Sequence, residues 1–248
     1  MDETRFHRLL HRPGILVDIG AHDGLITLPL AQLAGSHVLA FEPLPSAYAR
    51  LQAALKARFG SMPGHVQCYP MALGDQDGEI TLAMPVLDGV AQEQWASTAK
   101  DYAAHLSARV AVEHFTVPLR RLDAFQLADV TAMKIDAEGA EYEILRGARD
   151  TLLRCRPILT LEIEERHRAG STYAVPAYLD ALGYDVFFEL QDEWYPVAAL
   201  DRPTMQRASS DPSVFEASDP YVFVFYALPR EASSAMLDQL RQAAKPMP

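Results

Sequence analysis

Short apolar runs alternate with helix-periodic stretches along most of this chain. Ile15-Leu16-Val17-Asp18-Ile19 is mostly apolar and breaks at Gly20, the pattern of a buried parallel strand entering a tight turn. Residues 24–35 then predict a helix, 37–41 a second strand, and 65–69 a third. Between the last two, Tyr48, Leu51, Ala54 and Leu55 recur at helical spacing, so 47–59 predicts a helix. Pro43 and Pro45 oppose an earlier start and leave Ser46 as its cap. The rhythm resumes with strands at 131–136, 157–163 and 184–190, separated by helices at 139–153 and 175–182. A last strand is predicted at 221–227 and a terminal helix at 231–244. Strands alternating with helices predict an α/β fold, a Rossmann-like doubly wound parallel sheet.

Two stretches interrupt that rhythm. Residues 78–84 and 115–119 look like added strands, a β-hairpin around the polar, alanine-rich segment 88–113 with Trp95, Ser97, Thr98 and Tyr102. A connection this long inside a domain is usually a functional lid or a disordered excursion, and a lid is expected here. A second irregular insert spans 191–219. The expected organisation is therefore a leader at 1–14, stopped by Pro13-Gly14, one domain at 15–230 with both inserts, and a helix and tail at 231–248.

Open α/β sheets bind ligands at the carboxyl ends of their strands, which selects residues 20–24, 42, 71–75, 136–139 and 162–167. Gly20 and Gly24 frame a strand–helix turn whose main chain can approach a ligand and whose first amides can face it. Asp18 would hold the amides of that turn, formed with Ala21 and His22, or an amino group of the ligand. Glu42 closes the second strand and suits the two hydroxyls of a ribose, with Pro43 fixing the exit of the chain. The backbone at Met71 and Ala72, or the side chain of Asp75, would meet a base. A nucleoside-containing cofactor follows; spacing alone leaves its kind open. The third glycine of the dinucleotide fingerprint is missing, which disfavours a nicotinamide-dependent oxidoreductase. A non-catalytic nucleoside-binding module remains the other alternative.

The pattern Asp18-x-Gly20-x-x-x-Gly24 with its following acid is closer to methyltransferases that use S-adenosyl-L-methionine, a donor with no pyrophosphate. Phe41-Glu42-Pro43, Met71-Ala72-Leu73-Gly74-Asp75, Leu122-Asp123, Lys134-Ile135-Asp136-Ala137-Glu138-Gly139-Ala140-Glu141 and Leu145-x-Gly147-Ala148 extend the match over about 15–165. On these strings the chain resembles the FkbM family of methyltransferases, with Ala21-His22-Asp23 in place of the family's usual glycine-alanine-asparagine turn. The resemblance implies a class I methyltransferase fold of seven strands, the last antiparallel, and O-methylation of a hydroxyl.

The chemistry would then sit with Asp136, Glu138 and His167. Carboxylates at a buried strand end cost desolvation unless paired; Lys134 is one candidate partner, and the donor and acceptor hydroxyl are the functional one. Glu162, Glu164 and His167 follow the next strand, and a histidine there is a natural general base near neutrality. Asp136, Glu162 and His167 also suit magnesium or manganese, although no metal ligand is assigned and the need for a divalent ion stays open.

Charge and composition narrow the partners. Lys and Arg total 22 against 33 Asp and Glu, a net charge of −11, which argues against a general grip on nucleic acid or anionic lipid. A small-molecule or sugar acceptor is the expected partner. Cys68 and Cys155 are too few for a disulfide framework and read as inert thiols. No signal-peptide core or membrane-length apolar run is present in the sequence, so a cytoplasmic setting is expected.

Overall fold

The computed structural model describes residues 1–87, 90–91, 110–206 and 220–244. In chain order they form α1 (Glu3–Leu9), β1 (Gly14–Ile19), α2 (Thr27–Leu30), β2 (Ser36–Phe41), α3 (Pro45–Phe59), β3 (Val66–Tyr69), β4 (Ala72–Leu73), β5 (Gly78–Leu87), β6 (Val90–Ala91) and β7 (Val110–Arg120). There follow β8 (Val130–Ile135), α4 (Glu141–Gly147), α5 (Arg149–Cys155), β9 (Ile158–Glu162), α6 (Ser171–Ala181), β10 (Tyr184–Leu190), β11 (Glu193–Pro196), α7 (Arg202–Met205), β12 (Val224–Pro229) and α8 (Ser233–Ala244).

One sheet runs β11-β10-β12-β9-β8-β1-β2-β3. Its centre is parallel, and β12 inserts antiparallel between β9 and β10. The expected seven strands with an antiparallel last member are thus present, and β11 adds an eighth at the edge. Alternate residues of a strand face opposite sides, so Leu16 and Val38 serve one core and Val17 and Leu39 the other. The first core is closed by Phe6, Leu30, Leu51, Leu55 and Leu240, the second by Ile144, Leu152, Val175 and Leu179. Helices on both faces make the sheet doubly wound.

The hairpin insert is real but longer than its apolar text suggests. β5 and β7 pair antiparallel from Gly78↔Leu119 to Leu87↔Val110 and join β4 and β6 in a second sheet. Leu82, Met84 and Val117 pack from it onto Leu44 and Ala47 at the start of α3. Most of the expected lid at 88–113, including Trp95, Ser97, Thr98 and Tyr102, lies outside the described residues, as does 207–219 of the second insert.

Within the expected leader, α1 is capped by the Asp2 side chain and pinned by Phe6, which is fully buried against Tyr226 with ring centroids 4.8 Å apart. Three expectations change. The helix expected at 24–35 shrinks to α2, because Pro29 has no N–H and fits only in a first turn. The helix expected at 139–153 breaks at Ala148 into α4 and α5, where Asp123 accepts from the amides of Asp150 and Thr151 at 2.9 and 2.8 Å. The helix at 45–59 starts on Pro45 with Leu44 at the N-cap position, so Ser46 does not cap it.

Candidate active site

A cavity of about 990 Å³ opens at the carboxyl ends of β1, β2, β8 and β9 and under the second sheet. Gly20, His22, Glu42, Pro43, Met71, Ala72, Asp75, Asp136, Glu138 and His167 all stand in its wall, so the topology gathers residues spread over 147 positions, since 167 − 20 = 147. Asp18, Ala21 and Gly24 do not line it.

The first turn explains that division. Asp18 is fully buried and accepts from the Thr27 hydroxyl at 2.5 Å, tying strand to helix instead of reaching the cavity. Gly24, with φ +91°, gives its amide to Ala21 O at 2.8 Å, so that donor is spent inside the turn. Gly20 is glycine because of the neighbouring strand: φ is +73°, and a Cβ would sit 1.9 Å from the carbonyl oxygen of Asp136. The glycine thus lets the ends of β1 and β8 meet.

Glu42 is buried at the end of β2, and its two oxygens accept from the amides of His22 and Leu44, each at 2.8 Å. Burial raises its carboxyl above the ordinary range, and the two amides pull it back. His22 reaches this amide position with φ +47°, a left-handed conformation uncommon outside glycine. Phe41, Met71, Leu73 and Leu119 give this end of the cavity an apolar wall, and Asp75 pairs with Arg146 at 3.2 Å.

Lys134 joins the two ends. Its buried ammonium donates to Gly20 O at 2.7 Å and lies 3.4 Å from Asp136 and 3.7 Å from Asp18. Burial alone would lower it, but Asp136, Asp18 and Glu3 outweigh that and hold it above its usual range. Asp136 keeps a third of its side chain exposed, toward the cavity.

Beyond Asp136 the wall is crowded with acids. Glu138, at φ +52°, and Glu164 approach His167 Nε2 at 3.1 and 3.2 Å. Arg166 clamps Glu164 through Nε at 2.5 Å and Nη2 at 2.7 Å, and the Tyr221 hydroxyl donates to the same carboxylate. Burial opposes ionisation of Glu164, yet Arg166, His167 and Tyr221 hold its carboxyl below the usual range. Glu162 has the opposite fate: burial and the charges of Asp136, Glu164 and Glu138 push it up to about 9. Glu141 folds back to accept from the amides of Ala137 and Gly139 at 3.1 and 3.0 Å, and burial pushes it up to about 7. Glu143 pairs with Arg168 at 2.5 Å, while Glu165 accepts from Gly170 and Thr172 at the start of α6.

Arg166 and Tyr221 were not singled out from sequence. Arg166 sat in a charge-dense turn that reads as solvated surface, and Tyr221 lies 57 positions beyond the carboxylate it meets. No local signal could have joined them. Cys68 and Cys155 are free and half-buried, and burial pushes the Cys68 thiol up to about 11. Among the described residues, no helix is long and apolar enough to cross a membrane.

A mostly parallel sheet with one antiparallel strand between β9 and β10, and a cleft at its carboxyl ends, places the protein in the class I methyltransferase fold. The model of the methyltransferase FkbM domain matches residues 18–186, and the chain belongs to that family of methyltransferases. It is 28% identical over 185 residues to the 2-O-methyltransferase NoeI of Sinorhizobium fredii, covering 70% of this chain and 73% of NoeI. It is 26% identical over 205 residues to the AMB antimetabolite synthetase AmbE of Pseudomonas aeruginosa, covering 69% of this chain but 10% of AmbE. The crystal structure of methyltransferase FkbM from Methylobacillus flagellatus KT superposes with a TM-score of 0.55 at 15% identity, over 87% of this chain and 43% of that one. At that identity the likeness concerns the fold.

Proposed function

We propose that the protein transfers a methyl group from S-adenosyl-L-methionine to a hydroxyl of a small molecule or sugar. The observation that carries this reading is Glu42: a buried carboxylate at the end of β2, oriented by two backbone amides and facing a cavity whose far wall holds Asp136, Glu138 and His167. The residues fit the donor. A carboxylate with each oxygen already holding one amide has a lone pair left on each for the two ribose hydroxyls. Phe41, Met71 and Leu73 suit a purine ring, and Asp136 suits the positive end of the molecule. When bound, the donor supplies a methyl already activated by its sulfonium. The chain then has to position the acceptor, exclude water and take a proton.

Asp136 is the group we assign to that proton. It lines the cavity, is partly exposed to it, and is paired with Lys134 behind it at 3.4 Å. Glu138 and His167 form a second acid–imidazole pair beside it. Transfer to oxygen is supported by the relative named as a 2-O-methyltransferase. Calorimetric titration with S-adenosylmethionine, S-adenosylhomocysteine and NAD tests the reading. Binding of the two sulfur nucleosides without NAD is expected; NAD binding alone would replace it with the oxidoreductase reading.

A further inference from the structure

At the carboxyl ends of β8 and β9, an oxygen of Glu138, an oxygen of Glu162 and a ring nitrogen of His167 lie within 4.8 Å of one another. We propose that these three side chains bind one divalent transition-metal cation, of the Mn²⁺ or Zn²⁺ kind, on the wall of the cavity.

Geometry is the first support. Metal–ligand bonds of about 2.0–2.2 Å place neighbouring donors roughly 3–4.4 Å apart, and these three already lie within 4.8 Å of one another. The donors come from three places: Glu162 ends β9, Glu138 follows β8, and His167 lies in the turn before α6. All three line the cavity, so the remaining coordination positions would open toward a ligand.

The aim of the imidazole is the second support. His167 Nε2 is directed at carboxylates, 3.1 Å from Glu138 and 3.2 Å from Glu164, and is almost fully buried. Nε2 thus points into the carboxylate cluster that includes Glu138, the side from which a cation shared with Glu138 and Glu162 would be bound.

The neighbouring charges are already arranged in pairs: Lys134 meets Asp136, and Arg166 meets Glu164. Glu164, clamped by Arg166 and Tyr221, would act behind His167 as an orienting partner. Two carboxylates with one imidazole fall between the all-oxygen sites of magnesium and calcium and the nitrogen- and sulfur-rich sites of zinc.

The use of the ion rests on the methyl-transfer reading, in which it would hold and acidify the acceptor hydroxyl. Its presence does not. Protein stripped with chelator and titrated with Mn²⁺ alone, followed by loss of the free-ion paramagnetic resonance signal, should bind one ion per chain. His167→Ala and Glu138→Gln should each weaken that binding about tenfold or more. Arg168→Ala, outside the donor set, should leave it unchanged, and circular dichroism checks that each variant is folded. No saturable binding by the wild type, or equal binding by folded Glu138→Gln, overturns the site. S-adenosylhomocysteine titrated separately keeps the outcomes apart: nucleoside binding without Mn²⁺ binding defeats only the metal site, and Mn²⁺ binding without nucleoside binding defeats only the donor reading.

Discussion

The two ends of the cavity solve opposite problems with the same residue type. At the β1–β2 end Glu42 faces the cavity and is held by two main-chain amides. At the β8–β9 end, Asp136, Glu138, Glu162 and Glu164 crowd around His167, held by side chains: Lys134, Arg166 and Tyr221. Amides cannot change charge, so in the proposed function the first end would offer the nucleoside a fixed surface. Carboxylates in mutual contact shift one another's affinity for protons, as Glu162 and Glu164 show by moving in opposite directions. The second end is thereby suited to moving a proton or holding a cation. In the proposed function, binding asks for constancy and chemistry for a group that can change state, and the two strand ends would separate those demands.

The largest expected effect breaks the second end alone. Asp136→Asn should lower methyl transfer from a labelled donor about 10²–10⁴-fold while S-adenosylhomocysteine affinity changes less than about threefold. Unchanged turnover would remove Asp136 from the chemistry. Next comes the link between the ends. Lys134→Met leaves Asp18 and Asp136 without their shared cation and Gly20 O without its donor, and should cost about 3–5 kcal/mol in urea unfolding. A loss under about 1 kcal/mol would mean the two ends hold their places independently.

Breaking the first end should be milder and confined to affinity. Glu42→Ala should weaken S-adenosylhomocysteine binding by about 1.5–3 kcal/mol, the range for a charged hydrogen bond. An unaltered dissociation constant in a folded variant would sink the ribose assignment. The smallest effect probes titration under the second end. Glu141 has a folded-state pKa of about 7, above its ordinary 4.5, so its protonated form stabilises the fold fully below about pH 4.5 and that contribution is lost as pH rises through 7. Glu141→Gln cannot ionise and escapes the loss. Its melting temperature relative to wild type should therefore rise between mildly acid and mildly alkaline pH, by about 2–4 °C for each kcal/mol. A constant difference across that range would show that Glu141 titrates normally.

Much of this was written in local pattern. The runs at β1, β2, β8 and β9 are buried on both faces, so their apolar text is continuous and easily read, and the acids closing them stand out against it. That is why Glu42, Asp136 and Glu138 were legible, and why the family string around Lys134 pointed to methyl transfer. Packing decided the rest. Nothing near Phe6 announces that a seven-residue helix will plug the core beneath Tyr226, because the partner lies 220 positions away. Nothing near Gly20 shows that its hydrogen faces the carbonyl of Asp136 instead of a ligand, or that Asp18 will turn inward to Thr27. The meeting of Glu138, Glu162, Glu164, Arg166, His167 and Tyr221 depends on β8, β9 and the chain entering β12 arriving side by side. Local sequence specifies which residues can carry charge at a strand end; burial, and the neighbours that pairing of distant strands brings, determine which of those charges hold a turn and which face the cavity.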